Sequence, residues 1–408
     1  MSGPQVALFG IFGRTNLGNE ATLAAFLASL RQRFPDARAV CSGPRDSRAG
    51  MEHGLELIDM EPLQVRRYFW PYNHRRLART LSAATQRATE PIRIRRAAAA
   101  LRGFDALVIP GTGVLDDFGQ GPLDLPSHLL RWCRAAKRLS LPIHMLSVGA
   151  EPVDSPEIRR ILGRAARLCD YRSYRDPESR ENTARFGVPV DHDPVLPDLA
   201  FSLPPASLPA APPIDWPPRT VGLGVMGYYG WNQAAATGER IYAEYLEKMK
   251  RFVSWLLARG HTIRLLVGDT RLDPRPAREL VEAVAASAGP TERVIAEPIA
   301  TFDDLLRQIA RTDIVVGSRF HNVLLGLLMG RPAISISYSR KNDALLADFG
   351  LGTSSQPIEA FTVERLVAQF EQLAGGPSPA PGIGRKNQEL RRQLDMQYQQ
   401  LFSALDAR

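Results

Sequence analysis

DIVVGSRFHNVLLGLLMGRPAISISYSRKND, Asp313 to Asp343, sets out strand, loop, helix, strand and loop in succession, with its charges confined to the loops. Ile314, Val315 and Val316 form an apolar run before Gly317, and Ile334 to Ser337 a β-favouring one, so both are expected as interior parallel strands. Asn322 to Met329 reads as the crossover helix. That geometry sends Ser318, Arg319, Phe320 and His321 past the carboxyl end of one strand, and Tyr338 to Lys341 past the end of its neighbour. Ligands of open parallel sheets bind there. Arg319 is a permanently charged fork suited to carboxylate or phosphate, and Lys341 a point cation for the same anions. His321, at the start of a helix, can shuttle a proton near neutral pH. Taken singly, Arg319 equally suits a structural ion pair and His321 a helix cap. Together they favour a site for a small, multiply anionic ligand whose reaction needs acid catalysis.

Outward from this stretch, 408 residues exceed what one hydrophobic core usually supports, so two domains are expected. With 44% apolar and 23% charged residues the composition is globular. No window approaches the roughly 18 apolar residues of a membrane span, and Met1 to Gly10 lacks a signal-peptide pattern, so a cytoplasmic protein is expected. Cys41, Cys133 and Cys169 are widely spaced with no CxxC pair, which fits a reducing compartment and excludes a cysteine zinc cluster.

The formal charge of +8 is unevenly placed. Between Arg66 and Arg102 there are ten arginines and one acid, Glu90, interleaved with Tyr68, Phe69, Trp70, Tyr72, Ile92 and Ile94. One or two basic amphipathic helices are expected, suited to an anionic membrane surface or to a solvated face with its apolar stripe against the domain. Nucleic acid is not an expected partner; tight, salt-sensitive duplex binding is its signature.

Near the start, VALFGIFGRTNLGNEATLAAFLASLRQRF reads as a strand (Val6 to Phe9), a glycine-punctuated turn (Gly10 to Gly18) and a helix (Glu20 to Arg33). Backbone amides approach a ligand at such a turn, although glycines also serve mere tight turns. It is neither GxGxxG nor a nucleotide P-loop. In FDALVIPGTGVLDD a buried strand, Ala106 to Ile109, ends in a turn at Gly111 and Gly113 followed by Asp116 and Asp117. Pro142 to Gly149 is expected as a strand and Ile158 to Leu168 as a helix. Tyr174, Arg175 and Asp176 then end a short strand, Asp176 caps a helix from Pro177 to Phe186, and another strand follows Gly187. Arg175 beside Asp176 suits a plain ion pair.

Ser202 to Arg219 holds seven prolines, which suits a semi-rigid linker and places the domain boundary there. Strand and helix then alternate again: Val221 to Met226, Glu239 to Arg259, His261 to Gly268, Pro276 to Ser287, Arg293 to Ala296 and Phe302 to Ala310. The fold class expected is α/β, two doubly wound Rossmann-like domains facing a cleft in the GT-B-like manner. The domains are 1–201, a linker 202–219, 220–375, and a segment 376–408 whose helix, Arg385 to Leu405, packs back across the first domain.

GSRFHN followed by the YSRK loop resembles the signature of the polysaccharide pyruvyl transferase family. The family's opening motif, a glycine loop then Asn-x-Gly-Asp-Glu-Ala, is similar to Asn16, Gly18, Glu20 and Ala21, with Asn19 in place of Asp. A glycine triplet corresponds to the Gly111 to Gly113 turn, where Pro110 and Thr112 depart from the pattern. An Arg-Asp pair followed by Ser corresponds to Arg175, Asp176 and Ser179, and PDLAF (Pro197 to Phe201) resembles the segment closing the first domain.

The resemblance implies phosphoenolpyruvate as co-substrate, a saccharide acceptor that is lipid-linked, nucleotide-linked or finished glycan, a pyruvate ketal as product, and neither cofactor nor metal. It implies His321 as acid or base, Arg319 and Lys341 as catalytic cations, and Arg175, Arg319, Phe320 and Lys341 around the donor. Asn16, Gly18, Glu20, Gly111, Gly113 and Asp116 fall to the acceptor, on the side of domain 1–201. The alternatives are a nucleotide-sugar glycosyltransferase of the same architecture and a non-catalytic saccharide-binding relative. Many retaining glycosyltransferases hold the donor with two glutamates that have seven residues between them, late in the second domain. Here that spacing occurs only at Glu239 and Glu247, in its first long helix.

Overall fold

A computed structural model describes residues 3–43, 47–59, 76–117, 119–231, 234–288 and 292–406. The chain divides into two compact units. Unit 1 comprises Met1–Arg14, Ala21–Leu203 and Arg392–Arg408; unit 2 comprises Thr15–Glu20 and Pro204–Arg391. The units therefore part just inside the proline-rich stretch, between Leu203 and Pro204. Two features are not in the sequence-based division: Thr15–Glu20 goes to unit 2, and the terminal segment is split after Arg391.

Unit 1 contains a parallel sheet of β1 (Gln5–Phe9), β2 (Arg38–Gly43), β3 (Glu56–Asp59), β4 (Ala106–Pro110), β5 (Ile143–Val148) and β6 (Tyr171–Tyr174), in the order β3-β2-β1-β4-β5-β6. Unit 2 contains β7 (Thr220–Gly224), β8 (Thr262–Leu266), β9 (Val294–Ile295), β10 (Ile314–Gly317), β11 (Ala333–Ser337) and β12 (Ser355–Pro357), in the order β12-β11-β10-β7-β8-β9. Both orders are the doubly wound one, with the switch point between β1 and β4 in one unit and between β7 and β10 in the other. The expected fold class holds. The strand expected after Gly187 does not form: among the described residues this segment makes a single parallel bridge, Tyr174 to Val195. Pro189, Pro194 and Pro197 have no N–H to donate to a ladder.

The helices are α1 (Leu17–Arg33), α2 (Ala49–His53), α3 (Arg76–Ala100), α4 (Leu125–Arg138), α5 (Pro156–Arg167), α6 (Pro177–Arg185), α7 (Ala235–Ala258), α8 (Pro274–Ala288), α9 (Phe302–Ala310), α10 (Phe320–Leu328), α11 (Arg340–Asp348), α12 (Val363–Gly375) and α13 (Ala380–Asp406). In unit 2, α7 buries Tyr245, Met249, Phe252, Val253 and Leu256 at helical spacing against Val221, Leu223, Ile263, Ile314 and Val316. Each such side chain contributes about 1.5–3 kcal/mol of burial. Asp313, just before β10, accepts from the backbone N–H groups of Asp215, Arg219 and Thr220 (2.8–3.1 Å), tying the proline-rich stretch to the base of the sheet.

In unit 1, α3, α4 and α5 cover one sheet face through Ile94, Leu129, Trp132, Ile158 and Leu162. The last part of α13 supplies Tyr398, whose ring lies 6.2 Å from Phe26, and Phe402, 5.5 Å from Phe34. Gln397 donates to the Ser147 hydroxyl (3.2 Å) and accepts from the Ser173 hydroxyl (2.5 Å). It thereby plugs β5 where Ser147, at φ 48°, interrupts the pairing with β6.

Of the basic segment expected at 66–102, residues 66–75 lie outside the described residues. Residues 76–100 form one helix despite Pro91, with Ile94 buried and Ile92 53% exposed. Behind it, Arg131 is buried and held by Glu90 (2.8 Å), and its Nη1 lies 3.2 Å from His128 Nδ1. Burial, with help from Arg131 and Arg93, pushes the His128 pKa down to about 3. The folded state thus binds a proton less readily than the unfolded chain, whose His titrates near 6.5. His128 costs nothing above that pH, and between about pH 6.5 and 3 it removes stability by up to about 1.4 kcal/mol per pH unit. The expected result is that His128→Gln flattens the acid limb of the stability curve from urea melts at pH 7 to 4; an unchanged slope overturns the assignment.

Candidate active site

At the carboxyl edge of unit 2, the chain leaves β10 through Ser318 and Arg319 and turns at once into α10. The turn is anchored from below: the Ser318 N–H donates to Gly224 O (3.0 Å), and its hydroxyl lies 3.0 Å from that of Tyr245, which also accepts from Met226 N (3.2 Å). Phe320 and His321 fall in the first helical turn, two residues earlier than the sequence suggests, and their rings meet edge to face at 5.1 Å. Lys341 also lies in a helix rather than a loop, in the first turn of α11 after β11. It is 9% exposed, its Nζ 4.7 Å from the Tyr338 ring centroid and 5.8 Å from that of Phe320. Tyr228, 6.3 Å from Tyr338, extends this aromatic wall and donates its hydroxyl to Glu359 (2.6 Å). Aromatic faces attract a cation without cancelling its charge. Arg319, His321, Phe320 and Lys341 thus come together at the ends of β10 and β11.

Arg319 is not a bare clamp. Its Nη2 (2.6 Å) and Nε (3.1 and 3.2 Å) donate to Asp273, which is fully buried and also accepts from Gly268 N (3.1 Å) and Asp269 N (2.8 Å). Burial opposes the guanidinium charge, but the Asp273 carboxylate more than offsets it and raises the pKa. Nη1 makes no protein hydrogen bond among the described residues, leaving one arm of the fork for a ligand. Asn322 is fully buried, and its amide finds no protein partner among the described residues. Cβ atoms at Gly224 and Gly268 would stand 2.5 and 2.9 Å from that amide, so both glycines make room for it.

The opening motif belongs partly here. Asn16 and Gly18 lie in unit 2, where Asn16 Oδ1 accepts from Gly18 N (3.0 Å), and Glu20 is fully buried in the first turn of α1. Arg175, Gly111, Gly113 and Asp116 lie in unit 1. The Arg175 side chain is 5% exposed, packed on Gly149 and set between Asp176 (3.5 Å) and Asp198 (3.6 Å). Asp176 caps α6 through Ser179 N (2.7 Å). After β4, Gly111 (φ 60°) and Thr112 (φ 67°) are both left-handed. A β-branched residue bears about 1–3 kcal/mol of strain there, and the Thr112 hydroxyl is buried with no protein partner among the described residues. Asp116 is half-buried, whereas Asp117 holds the backbone N–H groups of Asp154 (3.1 Å) and Ser155 (3.4 Å) ahead of α5.

The sequence profile of the family described as polysaccharide pyruvyl transferase matches residues 16–340, well over half the chain. The chain belongs to that family. This transferase has no match in sequence among curated proteins. Among solved structures it is similar to UDP-GlcNAc 2-epimerase from Neisseria meningitidis bound to UDP-GlcNAc (TM-score 0.57, 10% identity, covering 98% of this chain and 100% of that one). It is also similar to a putative UDP-N-acetylglucosamine 2-epimerase from Listeria monocytogenes (0.58, 11%, 98% and 98%) and to the glycotransferase of kitacinnamycin (0.53, 15%, 99% and 99%). At these identities the likeness is one of fold, and it fits the GT-B-like class expected from the sequence.

For this pyruvyl transferase family member, sequence reasoning missed Asp273, Gly268, Asn322 and Tyr245. Asp273 follows the strand exit GDTRLD, and the acid five residues after a strand-end glycine was the one available signal. The rival glutamates sit on the surface of α7 in long ion pairs, Glu239 with Arg275 and Glu247 with Lys250, both 3.7 Å.

Proposed function

We propose that this transferase moves the enolpyruvyl group of phosphoenolpyruvate onto two hydroxyls of one saccharide, closing a cyclic pyruvate ketal for a cell-surface polysaccharide. The observation that carries the reading is the grouping of His321, Lys341 and Arg319 around Phe320. It offers a proton carrier and two cations to a ligand that bears both carboxylate and phosphate. Protonation of the methylene carbon makes the neighbouring carbon electrophilic. One hydroxyl attacks it and loses its proton, phosphate leaves, and the second hydroxyl closes the ring as it too gives up a proton. Each step needs an acid or base and an anion clamp. His321 takes the first role; Lys341 and Arg319 Nη1 take the second. Arg175, flanked by two carboxylates, is left in a structural pairing. Asp116, next to the Gly111 to Gly113 turn of unit 1, is the acidic group proposed for an acceptor hydroxyl.

The test is a thermal-shift titration with phosphoenolpyruvate against a uridine nucleotide sugar. Saturable stabilisation by phosphoenolpyruvate that disappears in Lys341→Ala is expected. Stabilisation by the nucleotide sugar alone moves the assignment to a glycosyltransferase, and stabilisation by a glycan alone to a saccharide-binding relative.

The proposed site of action is the cytoplasmic face of a membrane, where a lipid-linked acceptor is presented. No helix among the described residues is long and apolar enough to cross a membrane. Beside α3, with its exposed Arg95 and Arg96, α4 and α5 carry exposed Arg138, Arg160, Arg164 and Arg167. Such a face suits anionic headgroups. Flotation with phosphatidylglycerol vesicles at low salt is expected, and is lost when Arg95, Arg96, Arg160 and Arg164 are changed to Glu; protein that stays at the bottom of the gradient refutes it.

A further inference from the structure

The segment Thr15–Glu20 is joined to unit 2 by an antiparallel bridge between Asn16 and Asp269. Leu17 N donates to Gly268 O (3.0 Å), Thr270 N to Thr15 O (2.8 Å), and the Thr15 hydroxyl to Asp269 Oδ2 (3.3 Å). Held this way, the turn at Asn16 presents the backbone of Gly18 to the imidazole of His321. A Cβ built on Gly18 would stand 2.0 Å from His321 Nδ1, 2.3 Å from Cγ and 2.7 Å from Cε1. Real side chains never approach so closely, and the half-buried imidazole, packed edge to face on Phe320, has to shift to admit one. Gly18 does not adopt a left-handed backbone, unlike Gly13 in the same loop, so what demands glycine here is space.

The imidazole is therefore bounded by the backbone of Gly18 and by the Phe320 ring at 5.1 Å. The far strand of the bridge is fastened as well. Asp273 accepts from Gly268 N and Asp269 N with one oxygen and grips Arg319, two residues before His321. The bridge and the α10 turn are thus tied to one buried carboxylate.

We infer that Gly18 is a positioning residue for His321, and that the opening motif of the chain seats the proton carrier of unit 2. This rests on the proton-transfer role proposed above for His321. It changes the reading of Gly18 itself: the room above it that an acceptor would need is taken by the imidazole. A group that transfers a proton must stand within hydrogen-bond reach of its target, so a displaced ring costs turnover while the anion clamps still hold the donor.

The experiment uses the full chain with carbon-13-labelled histidine, the His321 signal being assigned by its loss in His321→Asn. In Gly18→Ala that signal is expected to shift, with turnover down roughly 100-fold and the phosphoenolpyruvate-induced thermal shift retained. A stability cycle covers the case in which Gly18→Ala folds poorly. Alanine at position 18 is expected to lower the melting temperature beside His321 but not in a His321→Gly background, where the ring has gone and the methyl has room. An unmoved His321 signal, or the same loss of stability with and without the ring, overturns the inference. Absence of any phosphoenolpyruvate binding in the parent protein sinks the pyruvyl transfer reading instead, and leaves the signal and the stability cycle to decide the seating.

Discussion

His321→Ala is expected to lower turnover by roughly 10²–10⁴-fold, the usual worth of a positioned acid or base, while phosphoenolpyruvate still raises the melting temperature. The separation follows from geometry. Lys341 is held by the Tyr338 and Phe320 rings, and Arg319 by Asp273, so each cation has a hold besides the imidazole. Phosphate release in the presence of acceptor measures the first quantity and a thermal-shift titration the second. Should turnover, donor binding and folding all vanish together, His321 is a structural residue and the proton carrier lies elsewhere.

Asp273→Ala is expected to lower the unfolding free energy by about 3–5 kcal/mol, the cost of leaving a buried guanidinium without its counter-charge. Besides Arg319, the loss also strands the Gly268 and Asp269 amides, each worth about 1–3 kcal/mol if left unsatisfied. Asp273→Asn keeps the shape and removes only the charge, so it falls between the two. Urea denaturation reads the stability. Donor affinity is expected to fall in parallel, because Nη1 of Arg319 is aimed only while Nε and Nη2 are held. A stability loss below about 1 kcal/mol with normal donor binding contradicts this account.

The doubly wound fold was legible because its interior strands announce themselves. Ile314 to Gly317 is an apolar run between Asp313 and the glycine that ends it, Ala333 to Ser337 is a β-favouring run after Pro332, and every residue in both is buried. Outer strands are quieter: β2, second from the edge, opens on the exposed Arg38, and the edge strand β3 is only four residues long, with Leu57 and Ile58 between Glu56 and Asp59 in sequence. Where a first helical turn carries polar residues it reads as loop: the pattern starts α10 two residues late, past His321, and the helix holding Lys341 reads as loop throughout. The cations of the site were legible from charge beside strand ends. Their partners were not, because Asp273 meets Arg319 across 46 residues and Asp198 meets Arg175 across 23, and nothing local marks an acid as buried. Gly18 was read as a turn glycine near a ligand; its neighbour is a side chain 303 residues later, which only the fold reveals.

The division of α13 has a consequence for biogenesis. Its segment from Arg392 supplies Gln397, Tyr398 and Phe402 to the core of the unit that is synthesised first. On the ribosome that unit waits, with the Phe26 and Ser147 surfaces uncovered, until the rest of the polypeptide has been made. At about 5–20 residues per second the wait exceeds ten seconds. Nascent chains halted before Arg392 are therefore expected to be chaperone clients and protease substrates even though every strand of their first sheet has been translated.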